Sequence, residues 1–344
     1  MIDTTPVIPS GRDVVRSPMV ATAWRHRHLL DTDVLAWPEI ALVLSGAARM
    51  AEVVTGARER PGTLRGVGVT TLFYEASTRT RVSFEVAARL LGADVVTVAA
   101  AASSVAKGES LLDTIRTLEA LGARMLVMRH ATSGAPYLVA GHFGGSVLNA
   151  GDGRHAHPTQ ALLDLYTLWR HIGAGDLGPF LAGRKIAILG DVLHSRVARS
   201  NLWTLTAAGA EVWVCGPPTL LDGFAAWAAA GVDGGRPFRV TTDIAAAVRD
   251  ADAVMALRLQ RERMTAGLLP SPAEYAARYG LTRERLALAA PGALVLHPGP
   301  MNEGLEIAPD VANGPQSVVT EQVANGVAVR MAILELLDAA RGRA

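Results

Sequence analysis

The chain has 344 residues, half of them apolar and 19% charged, with a formal net charge of +1. That length accommodates two domains with cores of their own, and the apolar content excludes a disordered chain. The near-neutral balance gives no support for a nucleic-acid or anionic-membrane surface, so any anion site must come from locally placed Arg and Lys.

Residues 1–25 carry prolines and little periodicity, which predicts a loosely ordered N-terminal arm. The opening "MIDTTPVIPSGRDVVRSPMV" has no basic stretch leading into an apolar one, so no signal peptide is expected. Gly68–Tyr74 reads as the first strand, followed by helical spacing over Val82–Leu91. Asp94–Val98, Met125–Met128 and Ser146–Asn149 read as further strands, with a helical pattern over Leu111–Leu121. A second helical pattern runs from Thr159 to His171, clearest over Leu162–Trp169, and ends in the Gly/Pro-containing "GAGDLGPFLAG". The stretch 151–180 is therefore the expected boundary. Beyond it lie Lys185–Leu189, a helix over Val197–Ala208, then Glu211–Val214, Ala253–Ala256 and Ala293–Leu296. Val318–Leu337 reads as a long C-terminal helix.

Strand–helix alternation over this length predicts βαβ units, and purely apolar strand runs predict sheets covered on both faces. The expected fold is α/β, with two doubly wound domains of mostly parallel strands and an active site in the cleft between them. The expected limits are an arm over 1–25, domains over 26–157 and 158–317, and a C-terminal helix over 318–344 packing back on the first domain. The longest stretch free of Asp, Glu, Lys and Arg, His130–Gly151, is broken by Pro136, His142 and Asn149, which argues against a membrane span. The single Cys215 excludes an intrachain disulfide and fits a reducing compartment, so a soluble cytoplasmic protein is expected. No internal repeat or low-complexity tract is visible.

Polar clusters stand at the ends of the expected strands: "STRTR" (77–81), "RH" (129–130), "GDGRHAHPTQ" (151–160), "GDVLHSR" (190–196), "LRLQRER" (257–263) and "HPGPMNEG" (297–304). In an open α/β sheet, ligands bind outside the carboxyl ends of the strands, so these clusters should converge on one rim. In "STRTR" the chain leaves a strand and enters a helix, where unpaired N–H groups and the positive dipole end favour an anion. Ser77, Thr78 and Thr80 add hydroxyl donors, and Arg79 can fork onto phosphate oxygens. The bland alternative is that Ser77 or Thr78 caps a helix and the arginines are merely solvated. Two arginines within five residues tilt the balance towards phosphate.

"HAHPTQ" has His-x-His spacing, but no second cluster with metal-ligand spacing accompanies it, so a metal is not expected. Pro158 suits the first helical position, which puts His157 at the N-cap and Gln160 in the first turn. An imidazole N–H and an amide there can meet a small carbonyl ligand; a surface histidine before a helix is the competing reading. "SSVAKGES" (103–110) is a Ser/Gly loop carrying Lys107, and most such loops are simply solvated. Arg258 and Gln260, two apart, project to one side of an extended segment, with Arg261 and Glu262 read as surface charges. "LGDVLHSR" lacks the glycines of a dinucleotide-binding turn. "HPGP" reads as a rigid turn near the rim.

In their order along the chain, "FYEASTRTRVSFE", "SSVAKGESLLDT", "VMRH", "NAGDGRHAHPTQALLDL", "GDVLHSRVARSN", "LRLQRERM" and "LHPGPMNEGLEI" closely resemble the aspartate carbamoyltransferase catalytic chains of the aspartate/ornithine carbamoyltransferase superfamily. The likeness spans roughly residues 30–340. It implies transfer of the carbamoyl group of carbamoyl phosphate to L-aspartate in de novo pyrimidine biosynthesis, with neither cofactor nor metal. It implies that the first domain binds carbamoyl phosphate and the second binds aspartate. By resemblance, Ser77, Thr78, Arg79 and Thr80 hold the phosphate, Arg129 touches phosphate and carbonyl, and His157 donates to the carbonyl oxygen. Gln160 with Pro298, Gly299 and the Pro300 turn fixes the carbamoyl amino group. Arg196, Arg258 and Gln260 bind the carboxylates of aspartate. Lys107, with Ser103 or Ser104, Ser103 having the slight edge, arrives from the neighbouring subunit of a homotrimer. Some relatives of this length assemble further with a dihydroorotase or an inactive relative, which the resemblance leaves open. One departure stands out: where the family usually carries Arg after "HPGPMN", this chain has Glu303.

The physics of the implied reaction agrees with these roles. Negative charge builds on the carbonyl oxygen and the departing phosphate, and fixed donors aimed at both stabilise the transition state. No Ser–His–acid or Cys–His set is visible, which favours direct attack by the amine. The nearest rival, ornithine transfer, typically shows "HCLP" and "SMG" in place of "HPGP" and "RLQ". A second rival is a non-catalytic scaffold subunit, but degenerate copies lose ligand residues that are present here.

Overall fold

The computed structural model describes residues 24–99, 110–232, 235–260 and 271–341. The first half runs α1 (Trp37–Val54), β1 (Gly68–Phe73), α2 (Thr78–Leu90), β2 (Asp94–Ala99), α3 (Leu111–Ala120), β3 (Ala123–His130), α4 (Ala135–Ala140), β4 (Ser146–Asp152) and α5 (Pro158–Ile172). The second continues with β5 (Lys185–Leu189), α6 (Arg196–Ala207), β6 (Glu211–Cys215), α7 (Phe224–Ala230), β7 (Arg239–Thr241), α8 (Ile244–Val248) and β8 (Ala253–Ala256). It ends with α9 (Pro272–Tyr279), α10 (Arg283–Leu286), β9 (Leu294–Leu296), α11 (Pro309–Ala312) and α12 (Val319–Arg341).

The strands form a four-stranded sheet, β2-β1-β3-β4, and a five-stranded sheet, β7-β6-β5-β8-β9. The strand pairs within both are parallel. β4 is buried along its whole length and β5 from Ile186 onward, as strands sandwiched between helix layers must be. The apolar runs read from the sequence all became strands. β7 was not anticipated, because "RVT" is a three-residue edge strand with no apolar run to announce it. β3 and β4 also run past their apolar cores, to His130 and Asp152. Those polar ends reach the rim.

The crossovers explain where a site can form. From β1 the chain steps outward to β2, then returns across β1 to β3; from β5 it steps to β6 and β7, then returns to β8. Each reversal opens a crevice at the carboxyl ends of the central pair, β1/β3 and β5/β8. One continuous apolar core joins the halves, with Leu162, Leu165 and Leu168 of α5 and Leu202 and Leu205 of α6 all fully buried in it. Truncating any of these leucines to Ala should cost about 2–5 kcal/mol, so the floor between the two crevices is firm. α12 packs against α1, α2 and α5. Among the described residues no helix is long and apolar enough to cross a membrane.

Candidate active site

A cleft of about 610 Å³ lies where the two crevices face each other. On the β1/β3 side, Ser77 occupies the N-cap of α2. Its hydroxyl does not cap the helix, unlike those of Ser110 and Ser195, which accept from the N–H three residues on. Ser77 Oγ donates instead to Thr80 Oγ1 at 2.9 Å. The first turn of α2 thus keeps backbone N–H groups uncapped by side chains, which is what an incoming anion requires. Arg79 follows, its guanidinium lying against Gly299 of the "HPGP" turn. A Cβ at residue 299 would come within 2.5 Å of it, and φ there is +64°, so glycine is needed on both counts. Desolvation, and then the charge of Arg258, lower the pKa of Arg79, although solvent still reaches its side chain. Two cations are therefore close enough to repel until an anion sits between them.

Arg129, at the end of β3, pairs with Glu75 Oε2 at 3.1 Å and directs Nη1 to the Ala150 carbonyl at 3.4 Å. His157 is the N-cap residue of α5 and Pro158 its first residue, as expected. The imidazole is buried, while its backbone N–H donates to Ser200 Oγ at 3.0 Å. Its Nδ1 meets no hydrogen-bond partner among the described residues. Burial first, then the charges of Arg196, Arg129 and Arg330, hold its pKa well below the ordinary histidine value. A neutral ring with one N–H is the form that donates to a carbonyl oxygen without adding a permanent charge. Gln160, one turn inward, is buried and donates from Nε2 to Asp164 Oδ1 at 2.8 Å.

On the β5/β8 side, Arg196 opens α6 and reaches back across the cleft. Its Nη2 pairs with Glu75 Oε2 at 2.7 Å and its Nη1 donates to the Gly153 carbonyl at 3.3 Å. Gly151 makes that reach feasible: φ is +114°, and a Cβ would lie 2.8 Å from Arg196 Nε. Arg258 and Gln260 follow β8 and do turn to the same side, Nη1 standing 3.4 Å from Gln260 Oε1. Asp191, fully buried, anchors their loop by accepting from the Gln260 N–H at 3.0 Å. The other Asp191 oxygen holds His194 Nδ1 at 2.8 Å, which gives "GDVLHSR" its purpose. Across the top, Gly299 N–H donates to His297 Nδ1 at 2.7 Å, and His297 Nε2 stands 3.3 Å from Glu306.

Ser77, Thr78, Arg79, Thr80, Arg129, His157, Gln160, Arg196, Arg258, Gln260, Pro298, Gly299 and Pro300 all line this cleft. Ser103, Ser104, Lys107, Arg261 and Glu262 lie outside the described residues. Glu303 is exposed, with Asn313 Nδ2 at 3.4 Å from its carboxylate. His155 turns away from the cleft towards Asp152 at 3.1 Å and Asp31 at 3.6 Å. Among the described residues no group of three or more His, Cys, Asp or Glu is placed to hold a metal ion. Sequence reading missed Glu75 and Arg330. Glu75 sits inside the quoted "FYEASTRTR", and its acid beside so many cations was an available signal. Arg330 reaches the cleft from mid-α12, buried, and nothing local in the sequence marks it.

Residues 27–170 match the model of the aspartate/ornithine carbamoyltransferase carbamoyl-P binding domain, and residues 182–337 match that of the Asp/Orn binding domain. The aspartate carbamoyltransferase catalytic subunit of Roseiflexus castenholzii is 57% identical over 323 residues, covering 93% of this chain and 98% of that one. That of Chloroflexus aggregans is 55% identical over 310 residues, covering 90% and 97%. Among solved structures, aspartate transcarbamoylase from Trypanosoma cruzi in complex with carbamoyl phosphate superposes with a TM-score of 0.77 at 29% identity, over 91% of this chain and 96% of that one. Ornithine carbamoyltransferase from Thermus thermophilus gives 0.74 at 27% identity, over 91% and 99%.

Proposed function

The chain belongs to the aspartate/ornithine carbamoyltransferase family, and we propose that this cleft transfers the carbamoyl group of carbamoyl phosphate to the α-amine of L-aspartate, releasing N-carbamoyl-L-aspartate and phosphate. The observation that carries the reading is the meeting of two anion-seeking walls. The uncapped first turn of α2 with Arg79 faces Arg196 and Arg258 across one cleft, with a neutral buried histidine between. Aspartate brings two carboxylates to Arg196 and Arg258. Ornithine would bring a second ammonium to the same cations, which is repulsive.

In this reading Ser77, Thr78, Arg79 and Thr80 hold the phosphate, and Arg129 bridges phosphate and carbonyl. His157 donates to the carbonyl oxygen as negative charge gathers there. The α-amine attacks the carbonyl carbon, the new C–N bond forms as the C–O bond to phosphate breaks, and the amine proton leaves with the phosphate. Arg196, Arg258 and Gln260 orient aspartate so that the attack is effectively unimolecular. The division into 26–157 for carbamoyl phosphate, 158–317 for aspartate and 318–344 as a returning helix belongs to the same proposal. It is supported by the separate pairing of β1–β4 and β5–β9 and by the seat of α12 on α1 and α2.

The reading also carries a cytoplasmic homotrimer in which Ser103 and Lys107 of one chain complete a neighbour's site. Mixed trimers of Lys107→Ala and Arg79→Ala chains, each inactive alone, should regain activity, because one site in each mixed trimer carries neither lesion. No recovery in mixed trimers verified by mass would remove Lys107 from the shared site. The activity itself is tested by assaying carbamoyl phosphate with a panel of amino acids. Turnover with aspartate is expected; preference for ornithine, or no turnover with either, would overturn the proposal.

A further inference from the structure

Behind Gln160, one turn along α5, lies Asp164, with no exposed surface. Its Oδ1 accepts from Gln160 Nε2 at 2.8 Å and from Gln322 Nε2 at 2.7 Å, and its Oδ2 accepts from Asn201 Nδ2 at 2.9 Å. Three helices, α5, α6 and α12, thus turn amides onto one carboxyl group. Burial raises its pKa to about 6, while those three amides and the Arg330 charge pull the other way. Three amide N–H groups directed onto its two oxygens are the surroundings of a carboxylate, and a carboxylate only accepts.

That single fact orients every amide around it. Each must present its N–H and turn its oxygen outward. Gln322 turns its oxygen to the backbone N–H of His297, at 3.0 Å, where the "HPGP" turn begins. Asn201 is held in the same sense by a second donation to the Val197 carbonyl at 3.0 Å. Gln160 lines the cleft, so its carbonyl oxygen is left to face the substrate. Arg330 supplies the compensating charge: its guanidinium is buried over the Phe84 ring at 4.9 Å. Gly326 leaves room for it, since a Cβ there would meet Arg330 Nη1 and Leu163 Cδ2.

We propose that Asp164 is a positioning residue that sets Gln160, and through Gln322 the "HPGP" turn, as hydrogen-bond acceptors, and so makes the site select a carbamoyl donor over an acyl phosphate of the same shape. The inference rests on the carbamoyl-transfer reading. A carbamoyl group offers two N–H donors where an acetyl group offers a methyl. Buried acceptors fixed in place are satisfied by the first and stranded by the second, the kind of mismatch that gives large discrimination. An amide free to rotate would adapt to either.

The test compares carbamoyl phosphate with acetyl phosphate, both with aspartate, in the full-length wild type and in Asp164→Asn. The variant side chain must turn a nitrogen towards one set of donors. Asn201 is held by Val197, so that nitrogen settles on the side of Gln160 and Gln322, whose oxygens then swing inward. The ratio of kcat/KM values, carbamoyl over acetyl, should fall at least ten-fold, with inorganic phosphate affinity unchanged. A parallel loss for both donors, or an unchanged ratio, would overturn the proposal. Should Asp164→Asn fail to fold, as judged by lost phosphate binding and melting, Gln322→Met decides the matter. It keeps the volume and cuts the link to His297, so the ratio should fall about three-fold or more, and an unchanged ratio again overturns the idea. A wild type that turns over neither donor with aspartate would instead sink the activity reading on which the inference stands.

Discussion

On the β1/β3 wall the first turn of α2 brings hydroxyls and backbone N–H groups to the cleft at short reach, whereas the β5/β8 wall extends the long side chains of Arg196 and Arg258 from α6 and the loop after β8. The short wall is organised mainly by secondary structure: a strand ends, a helix begins, and Ser77 Oγ donates to Thr80 Oγ1, with Arg129 tied to Glu75. The long wall depends on tethers. Arg196 is held by Glu75 and Gly153, and the Arg258 loop by Asp191. A phosphate with tetrahedral oxygens suits a nest of short donors, while two carboxylates on a flexible amino acid suit planar forks that arrive from different directions. The walls should therefore fail differently when broken.

The largest loss is expected on the short wall. Arg79→Ala removes the guanidinium that lies between α2 and Gly299. kcat/KM should drop on the order of 10²–10³-fold, as for other donors aimed at transition-state charge. Binding of inorganic phosphate by calorimetry should weaken with it, and the ligand-free Tm should hold, since the side chain remains reached by solvent. A large Tm loss with unaltered phosphate affinity would make Arg79 a structural residue.

On the long wall, Arg258→Ala should spare phosphate binding and raise the aspartate KM. Loss of a charge-assisted contact costs about 2–3 kcal/mol, roughly 30- to 150-fold in kcat/KM. Carbamoyl phosphate affinity lost with an unchanged aspartate KM would reverse the assignment of the two walls.

The two walls also differ in how far the sequence reveals them. The strand–helix alternation and the rim position of each motif were readable because apolar runs and their polar ends are local signals. So were the helix starts of the short wall, since "STRTR" and "HPTQ" are contiguous in the sequence. The tethers are long-range. Nothing near Glu75 in the chain says that one oxygen will serve Arg129 and Arg196, and nothing near Arg330 says that α12 will return it beneath Phe84. Gly151 and Gly299 stood inside recognised motifs, but their purpose, clearance for an arginine from the other half, exists only once the halves are packed. β7 escaped because three edge residues carry no pattern.

A change that acts on both walls together comes next in size. Glu75→Gln keeps the shape but removes the charge that holds Arg129 and Arg196 to a single Oε2 at 3.1 and 2.7 Å. The carboxylate is partly exposed, so each pair contributes modestly. About 1–2 kcal/mol is expected in kcat/KM, roughly 5- to 30-fold. Because one arginine stands on each wall, the KM values for carbamoyl phosphate and aspartate should rise together. A rise confined to one substrate would show that Glu75 serves one wall only.

The smallest expected effect is an absence of titration between the walls. His157 is buried, and burial is the leading cause of its lowered pKa, ahead of Arg196, Arg129 and Arg330. In the unfolded chain it titrates near the ordinary value of 6.5. The folded state therefore binds fewer protons than the unfolded one as pH falls below that value, so this residue's contribution to stability is complete above about pH 6.5 and declines below it. Imidazole NMR should accordingly show a neutral His157 with one fixed tautomer throughout pH 6.5–8. Arg129→Met removes one of the lesser causes, so it should move the midpoint upward while leaving it below 6.5. A wild-type midpoint at or above 6.5 would mean that solvent enters between the walls and screens the ring. The cleft would then have to use a charged donor, and the role of His157 as a neutral one would be lost.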